Sequence, residues 1–199
     1  MADYIRRIRD NPIAVAVKAT DRYHNLICAV LADEGFRRRY ATETIRWYLD
    51  FEAFRKEIFV AVEALIKTLT SPLYEVLPDF ISILENCREQ MWDGDCSPVR
   101  DSSQPRTDNP PEVSRFIRII YLSQVPDTDY FETLRRYRVD TARCDPASLA
   151  PNADLSLVRA LLTWIVRRDR FNEGTLRESV RDGSLIEVLR RLAVLLPSH

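Results

Sequence analysis

Apolar residues recur along most of this chain at intervals of three and four, and the breaks between runs carry proline, glycine or capping side chains, the pattern of a succession of helices. The clearest stripe is Leu155, Val158, Leu161, Leu162, Ile165 and Val166, following Asn152 and Asp154, either of which suits an N-cap. Gly174 and then Asp182-Gly183-Ser184 divide the remainder into two short helices, over about 175–181 and 185–195. At the other end, Asn11-Pro12 has the form of an N-cap with proline at the first helical position, which predicts a helix over about 12–33 that stops at Gly35. A second helix from Phe36 carries Ile45, Tyr48, Phe51, Phe54, Ile58, Val62, Leu65, Ile66 and Leu69, with a kink or break near Asp50. Ser71-Pro72 opens a further helical stretch, restarted at Pro78 or Asp79, through Phe80, Ile83, Leu84 and Cys87 to an end near Trp92. No segment reads as a strand.

Residues 93–111, DGDCSPVRDSSQPRTDNPP, lose the apolar period and are rich in Asp, Ser and Pro, so they cannot offset their ordering entropy by burial. They read as a linker between a helical block at 1–92 and a second at 112–199. In the second, Pro111-Glu112 starts a helix through Val113, Phe116, Ile117, Ile120 and Tyr121, Asp129 caps a shorter helix to Tyr137, and 139–152 form a loop. The fold class predicted is all-α.

Composition narrows the function classes. The 29 basic and 30 acidic residues give a formal net charge of -1, which disfavours nucleic acid as a partner of the whole chain and leaves only a local patch. No apolar run reaches the roughly 20 residues that span a bilayer, and Met1-Ala2-Asp3-Tyr4 opens no signal sequence, so a cytoplasmic protein without a membrane partner is expected. Cys28, Cys87, Cys96 and Cys144 never approach CxxC spacing, and His24 and His199 are the only imidazoles, so free thiols are expected and zinc is not. The four glycines are too scattered for a phosphate loop. Lysine occurs only at 18, 56 and 67; the arginine that replaces it elsewhere suits phosphate binding but also follows from a GC-rich genome.

Ala14, Val17, Asp21, His24 and Cys28 lie three or four apart, which puts Asp21 and His24 on an apolar face. A buried carboxylate requires a partner: Arg37 or Arg38 of the next helix, with His24 a core histidine, or a metal. Lys18 and Arg22 line the neighbouring face, and Asn25 stands one turn beyond Asp21. The run from Asn11 to Leu26, with its Val17-Lys-Ala-Thr-Asp-Arg-Tyr-His-Asn25 phrase, resembles the helix of HD-type phosphohydrolases, including guanosine tetraphosphate hydrolases. Over about residues 4–50 that resemblance implies a manganese ligand at Asp21 and a nucleotide contact at Asn25, with Lys18, Arg22 and His24 beside them. The family's other ligands, a His and an adjacent His-Asp pair, lie upstream of this helix, whereas the residues before Asp21 contain no histidine. No catalytic residue is assigned, and no cofactor is expected unless the HD-like site holds manganese.

The second constellation is Leu161-Leu-Thr-Trp-Ile-Val-Arg-Arg-Asp-Arg-Phe-Asn-Glu-Gly174, followed by Leu176, Val180, Gly183, Leu185, Ile186, Leu189 and Leu192. With Val113–Tyr137 it resembles the bacterial family of domain of unknown function 6508, which implies no activity. Arg167, Arg168 and Arg170 crowd a helix end, where cations favour the macrodipole. They either fix a helical corner, with Glu173 as ion-pair partner and Phe171 and Trp164 in the core, or form an anion site for phosphate or nucleic acid. The expected function is a non-catalytic binding or interaction module. The alternatives are a manganese-dependent nucleotide phosphohydrolase completed by upstream residues or a partner, and nucleic-acid binding by the arginine cluster. A nucleotide or phosphate ligand fits either site, and the broad apolar stripes permit a homodimer.

Overall fold

A computed structural model describes residues 2–94, 109–172 and 174–197. The described residues form eleven α-helices and two 3-10 turns, with no strand, so the fold is all-α. The chain divides into two compact units, Met1–Val76 with Leu122–Gln124, and Leu77–Tyr121 with Val125–His199. No described helix is long and apolar enough to cross a membrane.

The first unit contains α1 (Ala2–Arg9), α2 (Pro12–Ala29), α3 (Glu34–Trp47) and α4 (Arg55–Ile66). Asn11 caps α2 as expected, its side chain accepting from the N–H groups of Ile13 and Ala14 at 3.0 and 3.1 Å. Gly35 does not stop α2. The helix ends at Ala29, Asp33 accepts from the Phe36 N–H at 2.9 Å, and that cap starts α3 with Gly35 inside it. The break expected near Asp50 is present between α3 and α4, where Phe54 takes the left-handed conformation (φ 55°). The core comprises Ala19, Leu26, Ile45, Phe51, Ile58, Val62 and Leu65, with α2 packed against α4.

Ser71-Pro72 opens a 3-10 turn at Tyr74–Val76 rather than a helix. The reason is Arg38, whose guanidinium donates to the carbonyls of Ser71 and Pro72 at 2.9 and 3.1 Å and pairs with Glu75 at 3.2 Å. The Leu73 N–H then donates to the Ser123 carbonyl at 2.8 Å, which ties Leu122–Gln124 into this unit.

The second unit contains α5 (Phe80–Gly94), α6 (Pro111–Leu122), α7 (Tyr130–Arg136), α8 (Pro146–Leu149), a 3-10 turn at Ala150–Asn152, α9 (Leu155–Arg168), α10 (Thr175–Arg181) and α11 (Ser184–Leu195). Helix α5, grouped by the sequence pattern with 1–92, packs against α10 and α11. Of the expected linker 93–111, residues 95–108 lie outside the described ones. The stripe that begins at Leu155 is the axis of this unit: Leu157, Val158 and Ala160 through Val166 are buried, with α7 and α11 packed upon them. Asp154 caps α9 by accepting from the Leu157 N–H at 2.9 Å.

Asp129 is not the side chain that secures α7. It makes no cap hydrogen bond, and Asp127 instead accepts from the Asp129 N–H and the Thr133 hydroxyl, both at 2.9 Å. The expected loop 139–152 includes α8 and its 3-10 turn because Asp145 caps Pro146, accepting from the Ala147 N–H at 3.1 Å. Between α10 and α11, Gly183 adopts φ 86°, and a Cβ there would lie 3.1 Å from Arg88 Nη1.

Candidate functional site

On α2 the buried seam is Ala19, Arg22, Leu26 and Ala29. Asp21, His24, Asn25 and Cys28 are exposed, so the expectation that Asp21 and His24 share the core face is corrected. The helix carries apolar residues around most of its circumference, and Arg22 is the charged side chain on its buried seam. Arg22, 5% exposed, inserts its guanidinium between Tyr40 and the residue that follows α3, Tyr48, with its carbon 4.0 Å from each ring centroid. It also donates to Thr44 Oγ1 at 3.5 Å and lies 3.4 Å from a Glu43 carboxylate oxygen. Burial pushes the Tyr40 phenol upward, and the Arg22 charge opposes that.

Asp21 pairs with neither Arg37 nor Arg38. Its carboxylate accepts from Asn25 Nδ2 at 3.2 Å and lies 3.8 Å from Lys18 Nζ, all on the solvent side of α2. Among the described residues no group of three or more His, Cys, Asp or Glu side chains is placed to hold a metal. The residues around Asp21 therefore do not fit the manganese that the HD resemblance implies, and no chemical step is routed through it.

The second site gathers side chains from three elements at the C-terminal end of α9. Asp169, the C-cap, turns its Oδ1 to the N–H groups of Gly174 and Leu176 at 3.0 and 3.1 Å, and Gly174 takes φ 90°. That clasp defines the corner and accounts for the Asp169 carboxylate. The neighbouring guanidiniums are each laid on an aromatic ring: Arg167 over Tyr130 at 5.3 Å, Arg168 over Trp164 at 4.9 Å, and Arg170 over Tyr121 at 5.0 Å. Stacking occupies the face of a guanidinium and leaves its in-plane N–H edge for anions.

Among the described residues none of these three arginines pairs with a carboxylate. Glu173, the expected partner, lies outside the described residues. Arg167 Nε and Tyr121 Oη are buried without a hydrogen-bond partner among the described residues. Trp164 is buried as expected, but Phe171 is 87% exposed, since the Asp169 clasp rather than its ring holds the turn. Cys144, close enough to feel the Arg168 charge, has its thiol pushed up to about 11 by burial, with Asp145 and Asp140 adding to the effect, so it is a poor nucleophile.

Sequence reasoning found the arginines and missed Tyr121 and Tyr130. Both stand in helical apolar stripes, and only the packing of α6 and α7 in this unit shows them beneath guanidiniums. A family model described as a family of unknown function, DUF6508, matches residues 71–198, well over half of the chain. The chain belongs to the DUF6508 family. The matched residues take in the whole of the arginine corner, so this site lies in the DUF6508 part, while Lys18, Asp21, Arg22, His24 and Asn25 precede it. No curated protein and no solved structure matches the chain.

Proposed function

We propose that the protein is a binding module whose DUF6508 part holds an anionic, phosphate-bearing partner at the corner formed by Arg167, Arg168, Arg170 and Phe171. The observation that carries this reading is that three arginines are fixed in place by rings, with no carboxylate among the described residues to use their N–H edges. Positions that served only to close a helix end would be expected to bond the last carbonyls of α9, whereas these side chains lie across aromatic faces. The exposed Phe171 ring beside them supplies a face on which a base or a planar group can stack.

The test is fluorescence anisotropy with a labelled single-stranded oligonucleotide across a salt series. Arg168→Ala with Arg170→Ala is expected to weaken binding about tenfold or more and to reduce the salt slope by roughly 1–2. Phe171→Ala is expected to weaken it further by about 1–3 kcal/mol where bases stack. Wild-type binding unchanged by the arginine pair would remove the corner from the proposal.

A further inference from the structure

Among the described residues nothing covers one face of α2, and that face is largely apolar. Ile13, Val17, Thr20, His24 and Ile27 on the helix, and Leu31 in the turn just past its end at Ala29, follow one another at alternating intervals of four and three and are all exposed, Ile13 at 76% and Leu31 at 92%. This is the spacing of a coiled-coil seam. The opposite face holds Arg22, Leu26 and Ala29 in the core of the first unit, so the exposed stripe is a second seam and not a misplaced core.

The order of residues on it is symmetric about its midpoint: apolar, apolar, polar, polar, apolar, apolar. We propose that this face joins two copies of the chain antiparallel about a two-fold axis, with Ile13 against Leu31, Val17 against Ile27, and Thr20 against His24 of the second copy. An isologous interface requires a surface complementary to its own reverse, which this order provides and an unrelated partner would not demand. A parallel pairing would instead set the two His24 side chains, and the two Thr20 side chains, opposite themselves. Asp21, next to the axis, has Lys18 at 3.8 Å, so the two-fold does not oppose bare carboxylates. With Val30 at its edge, the stripe offers on the order of 600 Å² per copy, the lower end of a specific interface, so the dimer is expected to be weak and concentration-dependent.

Sedimentation equilibrium of the full chain from low to high micromolar concentration tests this. The wild type should rise from 23.2 kDa toward twice that mass. Leu31→Glu with Ile27→Glu should stay at the monomer mass with an unchanged helical circular-dichroism spectrum, both side chains being exposed. Orientation is read separately: Ala14→Cys should give a disulfide-linked dimer through Cys28 of the second copy on mild oxidation, and Cys28→Ser should abolish that link. A monomer at every concentration would overturn the proposal, as would a dimer indifferent to the two glutamates or a wild-type Cys28 to Cys28 link. So would a monomer that uses the stripe to bind lipid vesicles.

Discussion

Arg22 is held chiefly by two rings, with a long hydrogen bond to Thr44 and a Glu43 carboxylate at 3.4 Å. A planar cation between two aromatic faces depends on shape as much as on charge, so Arg22→Lys should not restore it. Arg22→Lys is expected to cost about 1–2 kcal/mol and Arg22→Ala about 2–4 kcal/mol in urea unfolding, because the tyrosines then border a void or a poorly fitting ammonium. Equal stability of wild type and lysine variant would show that only charge matters there. Asp154 gives a pH prediction. Its carboxyl is held below the usual carboxylate range, first by the Tyr137 hydroxyl and then by the Leu157 N–H. A depressed folded-state pKa stabilises above the ordinary value of about 4 and loses that contribution as pH falls through the folded value. Acid unfolding below about pH 4 should therefore be shallower in Asp154→Asn than in wild type. The glycines separate in the same way: Gly183→Ala meets both positive φ and Arg88, whereas Gly174→Ala meets only positive φ, so the first should lower the thermal midpoint more.

At the scale of elements, legibility followed whether the apolar pattern leaves a choice of which side is buried. Helix α9 has a continuous apolar stripe and two local caps, Asp154 and Asp169, and its beginning and its burial follow directly from sequence. The short helix at Thr175–Arg181 and the one at Ser184–Leu195 follow from Gly174 and Gly183 for the same reason, since only particular backbone conformations fit those joints. Helix α2 is different. It carries apolar residues around most of its circumference, so periodicity shows a helix without fixing which side faces inward, and Asp21 and His24 were assigned to the core side when Arg22 occupies it. Helix α1 offers no apolar stripe to read, and among its residues of described burial, 3–9, only Ile5 is buried. The rings beneath Arg167 and Arg170 come from α7 and α6, and no local pattern signals such a meeting. Because α9 is buried along nearly its whole length, amide hydrogen exchange should be slowest at Leu157–Val166 and far faster in α1; comparable rates would contradict the central place of α9.

At the scale of the whole molecule, the two units are not two consecutive stretches of chain. The first takes Leu122–Gln124, the last residue of α6 and the two that follow it, and the Leu73 N–H to Ser123 carbonyl bond is part of that arrangement. This bears on the family boundary. The DUF6508 match begins at residue 71, not at Leu77 where the second unit starts, and so carries with it the short stretch that Leu122–Gln124 pairs with. A single nick anywhere between Val76 and Leu122 would therefore yield two bands on a denaturing gel without yielding two finished pieces: the upstream fragment would still lack three residues of its own fold, and those residues would travel with the other half.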